Sequence, residues 1–352
     1  VLNSNRITKL KDFYQQHQVL VGVIVFLSGF LIDVFTLGEI DDTFSLVQQF
    51  LYLLIIGSIL LCELSNKTPK VLDKYWDYRE LLVQFLFGSL LSIYTLYFFH
   101  SASQITGLLF IILLGLLLVA NEFPQFQKLE FGVKFIIFSL CVISFFLIVF
   151  PILFGHISIL GFFISILTSL LIFSGIFYLK RQTVTEIKKK FFYPVIGTHL
   201  FFVFAYFFNI IPPVPIAVKH IGVYHQIEKV ADNYRVSFVP PKYLFWLDTN
   251  DDFHARADDT LNIFVQVFSP RAFSDRVFLE FYRDGKKQDR IPLNIKGGRS
   301  EGYRGFVTKK NYGPGEWKVV VMSSDNRPFG DFSFTVHSDT TTDERHFKEL
   351  EF

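Results

Sequence analysis

Seven apolar runs, each close to the about 20 residues a helix needs to cross a hydrocarbon layer, dominate the first 211 positions of this chain. They cover 18–38, 43–64, 80–99, 104–121, 131–154, 157–179 and 191–211. A chain of 352 residues that is 51% hydrophobic, with 45 Phe, cannot cover such runs with its own polar surface. The expected fold class for this half is an α-helical membrane bundle of seven transmembrane helices; six is the competing count if the 104–121 run is too short. The first run is long and lacks a small-residue cleavage site, so it reads as a span and not as a signal peptide. Only "PILFGHIS" divides the fifth run from the sixth, and Pro151, Gly155 and His156 are expected to make a tight turn there.

The loops set an orientation. Arg6, Lys9 and Lys11 precede the first run; Lys67, Lys70, Lys74 and Arg79 lie in the second loop. Lys128 is in the fourth, with Lys134 just inside the next run, and Lys180, Arg181, Lys188, Lys189 and Lys190 are in the sixth. The intervening loops around "GEIDD", "HSAS" and "FGH" contain no Lys or Arg. Cytoplasmic loops carry the excess of Lys and Arg, so the N-terminal segment 1–17 and the even loops are expected in the cytoplasm. With seven spans over 18–211, everything after Ile211 then lies outside it.

Inside the runs, Gly161, Ser165 and Ser169 recur every four residues, a stripe that lets another helix approach closely. Ionisable groups at membrane depth are functional candidates by default, and Asp33 and His199 qualify. Counted at about 1.5 Å per residue, Asp33 sits about 22 Å from the inner end of its helix and His199 about 12 Å, which argues against a direct pair. Asp41 and Asp42 follow Asp33 near the outer surface, where they either end a helix or form an acidic interfacial site. A retinal-type pigment is excluded, because 191–211 contains no lysine for a Schiff base.

From His220 the chain changes character. The segment 220–337 alternates apolar and polar residues over 221–228, 234–239, 260–268, 276–283, 287–295, 303–310, 315–323 and 331–337. Turn sequences such as "RDGKK", "NYGPG" and "SSDNRPFG" separate them. Many short strands at this spacing predict an all-β, immunoglobulin-like sandwich, with Trp317 as a core anchor. The only cysteines, Cys62 and Cys141, lie in apolar runs, so the sandwich holds no disulfide. The charged tail 338–352 is expected to hold at most a short helix. Between the halves, 212–219 carries Pro212, Pro213 and Pro215, which restrain the backbone to a stiff extended collar.

Chemistry is scarce in the polar half. Asp248, Asn250, Asp252 and Asp259 stand at positions one, three, five and twelve of a calcium-loop spacing. Phe253 replaces the glycine that spacing needs, no bidentate glutamate follows, and Arg256 intrudes. No zinc spacing joins His220, His225 and His254, and there is no nucleophile elbow or phosphate loop. No metal or cofactor is therefore expected. The basic residues of 283–310 suit anionic headgroups or glycans, or simply a solvated face.

Three stretches together resemble a bacterial membrane-protein family whose C-terminal module is a domain of unknown function, DUF2914. They are "GFLIDVFTLGEIDD", "NIIPPVPIAVKHIGVYH" and "GEWKVVVMSSDNRPFGDFSFTV". The resemblance spans nearly the whole chain and implies a bacterial inner-membrane location with a small extracytoplasmic β-domain. It supplies no catalytic residues to carry over. The expected function is a non-enzymatic membrane protein whose outer domain binds a membrane or periplasmic protein or an envelope ligand, as accessory subunit, sensor or assembly factor. The alternative is a membrane-embedded enzyme or transporter handling lipid or lipid-linked glycan at Asp33, Asp41 and Asp42. The lipid bilayer is the other expected partner; nucleic acid is not one.

Overall fold

A computed structural model describes residues 38–65, 76, 78–102, 105–121, 131–179, 191–240, 251–297, 302–341 and 343–352. The chain divides into two compact units. The first holds most of the helical half; the second holds 98–108, 150–161 and everything from Asn209.

Six helices are described: α1 Thr43–Leu64, α2 Arg79–His100, α3 Ile105–Asn121, α4 Phe131–Phe154, α5 Ile159–Leu179 and α6 Tyr193–Phe207. Four of them, α1, α2, α4 and α5, are long and apolar enough to cross a membrane; α3 and α6 are shorter apolar helices. The expected seven becomes six among the described residues, because the 18–38 run lies outside them. The helices are apolar on both faces: α1 buries Leu53, Ile56 and Leu60 yet exposes Phe44, Leu51 and Leu54. An all-round apolar helix that leaves half its side chains uncovered is suited to lipid and not to water. Polar contacts mark two helix ends. Glu63 on α1 meets Arg79 of α2 at 2.8 Å and Lys134 of α4 at 3.6 Å. Gln84 and Asn121 exchange side-chain to backbone hydrogen bonds of 3.0 and 2.9 Å, tying the start of α2 to the end of α3.

Pro151 departs from expectation. It lies inside α4, whose last turn continues to Phe154, and the chain reverses only at Gly155 and His156. Proline costs the helix one donor, but its carbonyl still accepts the Gly155 N–H at 2.9 Å and closes the turn.

The second unit is built on eleven strands: β1 Ala217–Tyr224, β2 Gln226–Val230, β3 Asn233–Phe238, β4 Asp252–Ala255, β5 Leu261–Phe268, β6 Ser274–Arg283, β7 Lys286–Lys296, β8 Tyr303–Lys309, β9 Gly315–Met322, β10 Pro328–Ser338 and β11 Lys348–Glu351. They form sheets ordered β1-β5-β8, β4-β10-β9-β6-β7 and β11-β3-β2. The first two face each other across one core that includes Ile263, Val265, Leu279, Phe281, Trp317 and Val319. Trp317 is 2% exposed and its indole N–H donates to Gly313 O at 3.0 Å.

Strand β5 explains the third sheet. Leu261, Ile263, Val265 and Val267 point into the main core, while Phe264 on the opposite face packs with Tyr224, Val236 and Phe238. A strand buried on both faces needs a layer on each, and "LNIFVQVF" is accordingly almost continuous in apolar residues. Three expectations change. The single strand read at 221–228 breaks at His225 into β1 and β2, which enter different sheets. The tail read as a short helix contains β11, paired antiparallel with β3. The acidic loop around Asp252 contains β4, which runs parallel to β10.

Candidate functional site

Asp33, Asp248 and Asn250 lie outside the described residues. Asp42 is the N-cap of α1: its carboxylate accepts the Ser45 N–H at 2.9 Å, satisfying a donor the first helical turn would otherwise leave open. Asp41 precedes it, half-buried. His199 is buried in the helical unit with both nitrogens engaged. Nδ1 lies 2.8 Å from Val195 O, which can only accept, so Nδ1 carries the proton and Nε2 accepts from Ser169 Oγ at 2.9 Å. The histidine therefore buckles α6 to α5. Ser165 and Ser169 are fully buried, and Ser165 Oγ donates to Phe146 O of α4 at 3.1 Å. Gly161 donates its N–H to Ser158 Oγ. The stripe thus carries hydrogen bonds as well as small volume.

The two described members of the calcium-like spacing do not converge. Exposed Asp252 faces His337 at 3.2 Å. Asp259 accepts from Arg345 at 2.7 Å and from the Arg256 N–H at 2.8 Å. Arg256 also donates to Asp339 at 2.8 Å. Hydrogen bonds from the Thr341 hydroxyl and N–H, with Arg256, hold the Asp339 carboxyl well below the usual carboxylate range. These pairs fasten the C-terminal segment. Among the described residues no group of three or more His, Cys, Asp or Glu could hold a metal ion.

One end of the second unit is a polar clasp that the strand pattern did not announce. Pro212 and Pro213 are buried beside Ile211, and Ile216 joins the sandwich core with Ile157. Pro215 is buried with them. The β9–β10 turn, 323–327, grips both segments. Arg327 donates to Ile211 O at 3.2 Å while pairing with Asp325 at 2.8 Å, and both side chains are below a tenth exposed. Ser324 Oγ donates to Ile157 O at 2.7 Å, and Asp275 accepts the Ile157 N–H at 3.0 Å. Ser274 N–H donates to Gly155 O at 2.8 Å. Gly155 has φ +71°, and a Cβ there would meet Ala272 O at 2.7 Å, so only glycine fits this close approach. The five residues "SSDNR" read only as a turn in sequence; their density of side-chain hydrogen-bonding groups was the available signal.

On the outward face of the five-stranded sheet lies a groove of about 430 Å³. Asp251, Asp252, Tyr282, Glu316, Lys318 and Ser333 line it, with the edges of Trp317 and Phe334 below. Alternation puts Tyr282 on β6, Glu316 and Lys318 on β9 and Ser333 on β10 on the same side, since Tyr282 and Ser333 both stand opposite Lys318. Tyr282 is held in place: its hydroxyl donates to Glu280 at 2.8 Å, and that bond raises its pKa. Burial of Glu280 works against its charge, but hydrogen bonds from Lys287 and Tyr282 and the charges of Lys287 and Arg290 outweigh it and keep the carboxyl low. The free strands at the sheet margins are poor templates for pairing. β7 carries Lys286, Lys287, Arg290 and Pro292, and β11 reads "KELE".

The chain therefore combines apolar helices able to cross a membrane with a separate, layered β-unit. Residues 274–336 match the family described as Protein of unknown function (DUF2914), so the chain carries a DUF2914 domain, from the first residue of β6 into β10. No curated protein matches the chain. Among solved structures it is similar to an immunoglobulin-like protein from Pseudomonas aeruginosa, at 14% identity over 34% of this chain and 97% of that one, with a TM-score of 0.21.

Proposed function

We propose that this is a non-enzymatic, multi-pass protein of the bacterial inner membrane, with the 18–38 run as the first of seven spans and the N-terminus in the cytoplasm. Its immunoglobulin-like β-unit stands on the periplasmic side and binds a partner protein through the groove on its five-stranded sheet. One observation carries the orientation. The segments 98–108 and 150–161 contain no Lys or Arg, and both fall in the same compact unit as the sheets. The cationic helix starts at Arg79 and Lys134 instead meet at Glu63 within the helical unit. This division supports the orientation that the positive-inside rule assigns.

The clasp supports the binding role, because a docked partner needs a fixed platform. Hydrogen bonds from Ser274, Asp275, Ser324 and Arg327 hold the β-unit to the 150–161 turn and the proline collar. The Asp42 carboxylate already serves as the cap of α1, which favours the binding reading over the acidic-site alternative. The test is a photo-crosslinking amino acid placed at Ser333 in the groove and, separately, at Lys229 on β2, in native membranes. A discrete, reproducible adduct from Ser333 and none from Lys229 is expected. No discrete adduct from Ser333, or the same adducts from both positions, would overturn the reading.

A further inference from the structure

We propose that the groove takes a lysine- or arginine-bearing segment of the partner polypeptide; this rests on the groove being the docking site. Its volume of about 430 Å³ is in the range of about 300–1,000 Å³ of pockets that hold specific ligands. Its net charge decides the class. Lys318 pairs with Asp331 at 2.9 Å and Arg283 with Asp284 at 3.6 Å, while Lys287 and Arg290 share the one carboxylate of Glu280. Asp251 and Glu316 are exposed, and among the described residues their carboxylates make no ion pair; Asp252 faces His337. Among the residues that line the groove, the carboxylates of Asp251, Asp252 and Glu316 outnumber the one ammonium, Lys318, so its charge is negative.

The walls suit a cation on a polypeptide. With its hydroxyl pinned by Glu280, the Tyr282 ring is a fixed flank for an ammonium or guanidinium group, which the face of an aromatic ring attracts. A bare divalent cation fits less well, because the described carboxylates form no group able to hold a metal. The apolar part of the lining, which includes Trp317 and Phe334, suits the aliphatic stem of such a side chain. Among the described residues, the large hydrophobic side chains exposed on the strands and tail of the β-unit are Val230, Phe306 and Phe347, and none of them lines the groove.

The experiment uses the full chain in uncharged detergent micelles, with Trp76→Phe and Trp246→Phe so that Trp317 alone reports. A tri-arginine amide is titrated, and a tri-glutamate peptide serves as control. Saturable change in Trp317 fluorescence with the first peptide only is expected. Affinity should fall about tenfold or more in Asp251→Asn/Glu316→Gln, and should also weaken as salt rises, because these charges are exposed to screening. The substituted carboxylates are exposed and bear no ion pair, so an unchanged melting curve identifies a folded variant. A conservative Glu316→Asp variant, retaining the charge, should bind. No saturable binding, equal binding of tri-glutamate, or indifference to the double substitution would overturn the cationic class. If the Ser333 adduct persists in the double variant while tri-arginine never binds, the docking site stands and only its ligand class falls. Loss of both adduct and tri-arginine binding in a folded double variant supports the proposal.

Discussion

His225 shows how one buried side chain sets both structure and pH response. It sits at the break between β1 and β2, stacked on Phe253 at 4.2 Å and edge-on to Phe347 at 5.3 Å. Burial lowers its pKa below the ordinary 6.5, and the backbone carbonyl of His254 only partly offsets this. Above about pH 6.5 the ring is neutral folded and unfolded, and it contributes no slope. As pH falls through that value the unfolded chain takes up a proton that the folded chain resists, so stability declines, levelling only below the folded-state pKa. Denaturant midpoints followed by Trp317 fluorescence from about pH 8 to about pH 5 should fall, and part of that fall should vanish in His225→Gln. An identical profile in the variant would assign the slope to other groups.

At the scale of elements, the β9–β10 turn matters more than its five residues suggest. Arg327 and Asp325 form a buried ion pair and Arg327 also binds the carbonyl of Ile211. Replacing Arg327 with Met takes the guanidinium away from the buried Asp325 carboxylate, a change that costs about 3–5 kcal/mol in comparable cases. The Asp325→Asn/Arg327→Met double variant should recover part of that loss. Melting of the detergent-solubilised chain measures both, and equal stability of wild type and Arg327→Met would dismiss the clasp. The helices were legible because lipid tolerates apolar side chains all round, so each described span stands out as an uninterrupted run. The expected 43–64 run is α1 residue for residue, and 131–154 is α4. The strands with one wet face were legible through alternation. Two short strands were not: β11 in the third layer is "KELE" and β4 in the five-stranded sheet lies in an acidic stretch, each with one large apolar residue, too few to show a pattern before pairing to a neighbour makes it a strand. The groove was illegible for a related reason. Asp251, Tyr282, Glu316 and Ser333 are far apart in sequence, and only strand order brings them to one face.

For the whole molecule, the central claim is that the β-unit and the loops lacking Lys and Arg share the non-cytoplasmic side. Single cysteines at Lys318 in the groove and at His156 in the α4–α5 turn, in a Cys62→Ala/Cys141→Ala background, test it directly. Both positions are exposed. In right-side-out membrane vesicles a membrane-impermeant maleimide should label both cysteines, and in sealed inside-out vesicles neither. Labelling of both only in inside-out vesicles would reverse the orientation. Labelling of Lys318→Cys and His156→Cys from opposite sides would contradict the shared unit itself.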